Sequence, residues 1–584
     1  MQARTDFTES EQTLDCEEGI QRRLFWIGSL FLLCFVAISF LSSPFEYGSS
    51  VDRPILIVTG ILILSSGIAF FGLVDAIKIS TTNRHARRRL TVLVIGIALS
   101  ARLVALFTCP ILEIDYYRYM WDGKVLAAGI SPYDYAPEQI LDATPDVEGE
   151  LRELNSLAAR TESNHTILSR IHFARLTTLY PPVSQLVFSA AMSLIPDTAS
   201  VEAHVLFIKF VLLLFDVGIL LLVFSLIRLL NRHPGWLIVY AWNPLVIKEI
   251  ANSGHLDSIA TFFTVLSAFA FIHWCRARTW RRSWLTTSAV ALACGVGSKL
   301  FPAVVFPILL VAIFRKCKLS ACVFALVFMV ATGAALYPMF NASAGNHSVQ
   351  NIDHQEKHTP AATNDHFEKN AEDREGFTAF FSRWRMNDVV FSSLYLNLKD
   401  VQRGSKQPPW YVVTSNEFRS RFCRWCKDNH LGSADPAYSA TRACTIGLFA
   451  IFYLCQLVMI YRAENDNDRD GTQLLSRTGW TIAVFLFLQP TVNPWYLLWM
   501  IPFCSFSSNR GWLLVSGMTL VYYSRFWFKS LSGPFEIGGA NYSGTGLFDH
   551  FVTWGEHLIV LAILLGFTLA VRRFRGTETP GFKS

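Results

Sequence analysis

Residues 113–135 read EIDYYRYMWDGKVLAAGISPYDY, a polar and aromatic run directly after a long apolar segment. If Asp115 opens a helix as its N-cap, Asp115, Arg118 and Asp122 fall at i, i+3 and i+7 on one face, while Tyr116, Tyr119, Met120 and Gly123 line the next. The Tyr and Trp rings suit the headgroup level of a bilayer, and the carboxylates would face whatever the protein binds. The stretch therefore predicts an interfacial helix that presents a candidate base, Asp115, at a membrane surface.

Composition supports a membrane setting. The chain has 584 residues, of which 52% are hydrophobic and only 16% charged, with mean hydropathy +0.33. This is too apolar and too long for one soluble domain and predicts an all-α polytopic membrane protein. The 46 Phe and 16 Trp match lipid-facing helices and aromatic belts, so composition calls for no cofactor. The net charge of +6 comes from short basic turns between apolar segments and forms no single patch, which argues against nucleic acid as a partner. The twelve Cys are scattered. The one local pair, Cys423 and Cys426, reads as a disulfide or two plain thiols, with a zinc site as the alternative. The first apolar segment follows an acidic tail and resembles a retained anchor more than a cleaved leader.

Long candidate spans run near 24–41, 54–77, 90–109, 204–227, 257–274, 319–340, 441–461, 511–528 and 556–572. Shorter apolar pieces near 236–250, 284–298, 300–314, 478–490 and 493–507 stop at Pro, Gly or Asn and read as broken spans meeting at a common depth. If each crosses once, about 14 in all, every basic turn from Arg84–Arg89 to Arg572–Arg575 falls on the side of the N-terminus, which the positive-inside rule makes cytoplasmic. The chain then divides into a cytoplasmic tail (1–23), three spans (24–109), an external catalytic loop (110–203), further spans (204–340), a partly flexible external loop (341–440), C-terminal spans (441–572) and a cytoplasmic tail (573–584). Within the first loop, Tyr180–Ile195 reads as a helix docked at the outer surface. In the second, 341–375 reads as flexible, and GFTAFFSRWRMNDVVFSSLY (376–395) as an aromatic segment that docks back onto the membrane domain.

This threading brings the breaks at Asn243-Pro244, NSGHLD (252–257), GSKLFP (297–302) and QPTVNPWY (489–496) to the external end beside the first loop. Asp115, Arg118, Asp122, Tyr180, Lys248, Glu249, His255, Asp257, Lys299, Asn493, Trp495 and Tyr496 are thus expected at one membrane face. Each has a plainer reading. Lys248 and Lys299 are also placed to snorkel, His255 and Asp257 to cap the helix beginning near Leu256, and Trp495 and Tyr496 to form an aromatic belt. Lys299 lies between two abbreviated spans, where helix ends line a cavity, which favours phosphate binding. Asp216 and Arg102 lie inside spans, where each charge costs roughly 3 kcal/mol, so a structural pair or cavity lining is expected.

One carboxylate with cations at headgroup depth suits a lipid-linked phosphosugar. Lys299, with His255 or Arg118, would hold the phosphate as leaving group, and Asp115, ionised near its ordinary pKa, would take the acceptor's proton. One acid suffices for inversion, whereas glycoside hydrolysis calls for two opposed carboxyls. Asp122 reads as an orienting or sugar-binding group, and Tyr119, Tyr180, Asp257, Trp495 and Tyr496 as substrate contacts. No metal is expected. The alternatives are a lipid-linked glycan transporter or flippase, whose charged sites would run through the membrane depth, and a lipid-pyrophosphate ligase or polymerase, which would carry more external Arg.

The pattern DxYRYxWDGxxxxxGxxPYxYAP (115–137) resembles GT-C glycosyltransferases that use polyprenyl-phosphate sugars, especially glycosyltransferase family 87 and bacterial alpha-mannosyltransferases. YPP (180–182), NPLVIKEIANSGHLD (243–257), SKLFP (298–302) and PWYLLW (494–499) resemble further blocks in similar order. The resemblance implies a GT-C helical bundle, a catalytic aspartate at Asp115, a polyprenyl-phosphate hexose donor and a glycan, glycolipid or protein acceptor. It favours a bacterial inner membrane with the site facing outward. Two departures stand out: Glu113-Ile114-Asp115 replaces adjacent acids, and Asn493 stands where members often carry His.

Overall fold

Among the described residues, eight helices are long and apolar enough to cross a membrane: Glu18–Phe40, Ile55–Ala76, Arg84–Leu106, Val201–Leu229, Asp257–Arg276, Lys318–Asn341, Pro436–Tyr461 and Gly544–Ala570. They come from a computed structural model that describes residues 2–81, 84–144, 146–277, 279, 281–345, 385–400, 408–431, 435–463 and 467–576. Among these residues the only sheet is a hairpin, Phe535–Ile537 with Ala540–Tyr542, so the chain is an all-α multi-pass membrane protein.

Three segments differ from the hydropathy reading. The apolar run 511–528, expected as one span, is broken into Trp512–Met518, a tighter turn at Thr519–Tyr523, and Ser524–Ser530. The tightened turn carries Tyr522 and Tyr523 inward, where both are buried. In contrast, the short piece near 284–298 is one continuous helix, Arg281–Ser298, packed along Asp257–Arg276.

Three of the other four short pieces are broken as expected, whereas 478–490 falls in one continuous helix, Asn467–Phe487. Asn243 caps Pro244–Val246 by accepting the amides of Leu245 (3.1 Å) and Val246 (3.4 Å), and Ile247–Asn252 then widens into a π turn. Gly254 follows with φ +69°, a left-handed conformation that closes the turn and delivers His255 and Asp257. Tight turns at Phe301–Val305 and Pro494–Trp499 make the matching breaks.

The two ends of the bundle differ in chemistry. At one end Arg23 pairs with Asp75 (2.5 Å), Arg232 donates to the Ser507 carbonyl and Arg315 to those of Ile460 and Ala463, so the basic turns gather there. At the other end the breaks meet the loops. Within the bundle Arg102 and Asp216 are a structural pair: Nε lies 2.6 Å from Oδ2, Tyr240 donates to Oδ1, and Arg102 Nη1 donates to the Ala241 carbonyl. This satisfies two charges that are 1% and 0% exposed.

The first large loop is a small helical layer. Tyr116–Ala127 packs on Pro182–Leu194 so closely that a Cβ on Gly123 would stand 2.6 Å from the Phe188 carbonyl oxygen. Of the second loop, 346–384 lies outside the described residues, and with it most of the segment read as flexible. Residues 385–395 do dock back: Met386 donates to the Pro490 carbonyl and accepts from Val492 N–H, both at 2.9 Å. Cys423 and Cys426 are free thiols on Asn416–Asp428.

Candidate active site

Asp115 precedes Tyr116–Ala127 with helical backbone angles, yet its carboxylate caps nothing. Glu113 instead fastens the turn that leads into the helix: its Oε1 accepts the amides of Ile114 (2.8 Å) and Asp115 (2.7 Å). Asp115 is left partly exposed, with Tyr180 donating to Oδ2 at 3.3 Å. Tyr180 in turn meets Tyr119 edge-on at 5.1 Å, and Tyr119 stacks on Phe188 at 4.7 Å. Burial pushes the Tyr180 phenol well above its ordinary value, so it remains a donor.

The second acid reaches across to the NSGHLD break. Glu113 Oε2 lies 3.0 Å from His255 Nε2, which is also 3.3 Å from Glu249 Oε2. The Nε2 donor is aligned with neither oxygen, so these are charge pairs, not formed hydrogen bonds. Burial works against the charge on Glu113, but the imidazolium outweighs it and holds this carboxyl at about 2. Burial likewise disfavours the imidazolium, and the two glutamates overcome it, holding His255 at about 10. Asp115 goes the other way: burial and the neighbouring Glu113 charge raise it to about 7, while His255 and Lys299 pull in the opposite sense. Its expected ordinary pKa is therefore corrected, because the sequence does not show that this carboxyl is buried beside the Glu113 charge.

Lys299 lies at the same end. Its Nζ is 2.7 Å from Asp257 Oδ1, which also accepts from Trp499 Nε1, and the ammonium sits over the rings of Tyr496 (4.7 Å) and Trp499 (5.3 Å). Asp257 thus anchors Lys299 and caps nothing. With 18% of its side chain exposed, Lys299 keeps donors for an anion. His255 stacks on Trp495 at 4.6 Å, so this ring is a site wall and not simply a belt residue. Lys248 is 1% exposed, paired with Glu249 at 3.2 Å and covered by Tyr523 at 3.7 Å, which removes the snorkelling reading.

Arg118 and Asp122 turn away from this arrangement. Arg118 Nε donates to Asp122 Oδ1 at 2.9 Å, Arg118 Nη1 to the Leu176 carbonyl at 2.9 Å, and Gln185 Nε2 to Asp122 Oδ2 at 3.1 Å. They form an internal clamp under Pro182–Leu194, because i and i+4 partners meet on the face that this helix covers. Arg118 Nη2 is left buried without a partner among the described residues. Residues overlooked in the sequence are Glu113 as the amide acceptor, Trp499 and Tyr523, while Glu249, expected at this face, is given no role there. Only Glu113 carried a signal, its spacing from Asp115. Asn493 Oδ1 is buried without a partner among the described residues, and among them no group of three or more His, Cys, Asp or Glu side chains is arranged to hold a metal.

The chemistry available is an uncapped carboxylate near neutral pKa beside a fixed ammonium and several aromatic faces. Residues 43–315 match the family model described as alpha-(1->6)-mannopyranosyltransferase, N-terminal domain, and residues 429–530 match the MptB C-terminal domain. No curated protein and no solved structure matches the chain. The first match contains Asp115, Tyr180, His255, Asp257 and Lys299 and the second Trp495 and Tyr496, so both halves of the site fall inside matched segments. The chain belongs to the GT-C-type membrane mannosyltransferases.

Proposed function

We propose that the protein transfers mannose from a polyprenyl-phosphate donor to a glycan hydroxyl with inversion, with Asp115 as general base. The observation that carries this is the uncapped Asp115 carboxylate at the same end of the bundle as the Lys299 ammonium. The acceptor oxygen attacks the anomeric carbon as Asp115 takes its proton. The bond from that carbon to the phosphate oxygen breaks, and polyprenyl phosphate leaves with its growing charge facing Lys299. His255 contributes charge from beneath, through Glu113. A base at about 7 is matched to neutral pH better than an ordinary carboxylate, since it accepts the proton more readily while about half ionised.

The matched family's description supports an α-(1→6) product, and we read the acceptor as a mannan-type glycan. An α product formed in one displacement requires a β-configured donor, and a (1→6) linkage requires the primary hydroxyl of the acceptor sugar. The positive-inside rule supports a cytoplasmic basic end and an outward-facing site, and the resemblance to bacterial enzymes supports a bacterial inner membrane. The test is to supply purified protein with β-mannosyl polyprenyl phosphate, the glucosyl and arabinosyl analogues, or a nucleotide mannose, and to identify the product. An α-(1→6)-mannoside from the lipid donor alone is expected. A β-mannoside, or transfer from the nucleotide sugar alone, would overturn the reading.

A further inference from the structure

Beside the QPTVNPWY break lies a second cluster that the chemistry above does not use. Trp410 and Tyr411 pack on Trp554 with ring centroids 4.9 and 5.0 Å apart. Their polar edges point into the cluster: Trp410 Nε1 donates to the His550 carbonyl at 2.8 Å, and the Tyr411 hydroxyl lies 3.0 Å from His550 Nδ1. Trp410 is nevertheless 53% exposed. A membrane-belt indole keeps its N–H free for headgroups. Here the N–H is occupied and the exposed surface is carbon.

Charged groups surround Tyr411: Asp388, Arg385 and Asp549 all act on it electrostatically. Asp388 is 7% exposed, and Asp549 holds Arg525 in a two-bonded pair at 2.7 and 3.0 Å. About two turns beyond Asp549, on the helix Thr553–Gly576, Glu556 is buried and its Oε2 has no partner among the described residues. A carbon ring face bordered by carboxylates matches a pyranose, which is apolar on its C–H face and offers hydroxyl donors around its edge. Acyl chains have no use for the carboxylates.

The cluster is also tied to the catalytic end. Met386 is hydrogen-bonded to Pro490 and Val492, and Asn387 Nδ2 donates to the Val492 carbonyl at 3.2 Å. The backbone carrying Asp388 is thus fastened to the break that carries Trp495 and Tyr496. We infer that Trp410, Tyr411 and Trp554, with Asp388 and Asp549, form a distal subsite that binds sugar rings of an extended acceptor glycan behind its reacting end. The inference rests on the proposed reading of the acceptor as a mannan-type glycan.

The test compares an octyl α-mannoside with the octyl glycoside of a linear α-(1→6)-mannohexaose. The wild-type protein should use the hexaoside with a kcat/KM at least tenfold higher. Trp410→Ala should bring that ratio close to one, while Trp425→Ala, an exposed aromatic elsewhere in the loop, should leave it unchanged. Hexaoside binding, followed by saturation-transfer NMR on the detergent-purified proteins, should be lost in Trp410→Ala and kept in Trp425→Ala. An unchanged ratio together with retained binding in Trp410→Ala would overturn the subsite, as would a wild-type protein indifferent to acceptor length. Wild-type binding of the hexaoside that depends on Trp410 but leads to no transfer would support the subsite and count against the proposed reaction.

Discussion

With Glu113 Oε1 accepting the amide of Asp115, one acid fastens the turn that leads into the helix and leaves the other to react. The same neighbour, together with burial, holds Asp115 at about 7. A base must be ionised, so kcat/KM should fall about tenfold per pH unit below that value. Glu113→Gln removes a negative charge that raises the Asp115 pKa, so the acid limb should move to lower pH. A profile with the wild-type midpoint would contradict the assignment. Lys299→Ala should raise the KM for the lipid donor by about tenfold to a hundredfold, the worth of one charge-assisted hydrogen bond of ~1.5–3 kcal/mol, and affect the acceptor KM less. Equal effects on both would return Lys299 to a packing role. Asp115 and Lys299 were legible in the sequence because each sits at a break in hydrophobicity. The Arg118–Asp122 clamp was not, since one-face spacing does not tell whether solvent or another helix covers that face.

The helix Tyr116–Ala127 fixes Asp115 only because Pro182–Leu194 lies against it, with Gly123 at the contact. Gly123→Val would push the two apart. A loss of about 1–3 kcal/mol in stability is expected, with a larger loss of transfer activity, measured by thermal unfolding beside turnover. An unchanged rate would show that this contact does not position the base. Breaks containing Pro, Gly or Asn were readable from sequence because each removes a backbone donor, needs a left-handed turn or caps an end. The break inside 511–528 contains no Pro or Asn and only Gly517 just before Thr519–Tyr523, and hydropathy alone cannot separate it from a span.

Across the molecule, basic turns occupy one end and the reactive groups the other, with Arg102–Asp216 between them. Asp216→Ala would strand a buried guanidinium and should cost about 3–5 kcal/mol, read as a lower melting temperature in detergent. A melting temperature equal to wild type would mean that the pair is dispensable to the fold. The gathering of distant breaks at one end was legible from the spacing of basic turns, a pattern summed over the whole chain. The Glu113–His255–Glu249 charge network was not, because which charges meet depends on how the broken helices pack. The central claim is that Asp115 removes the acceptor's proton, and single-turnover transfer from β-mannosyl polyprenyl phosphate by Asp115→Asn tests it most directly. The account predicts a rate lower by about 10²–10⁴-fold with donor affinity retained; a wild-type rate in that protein would contradict it.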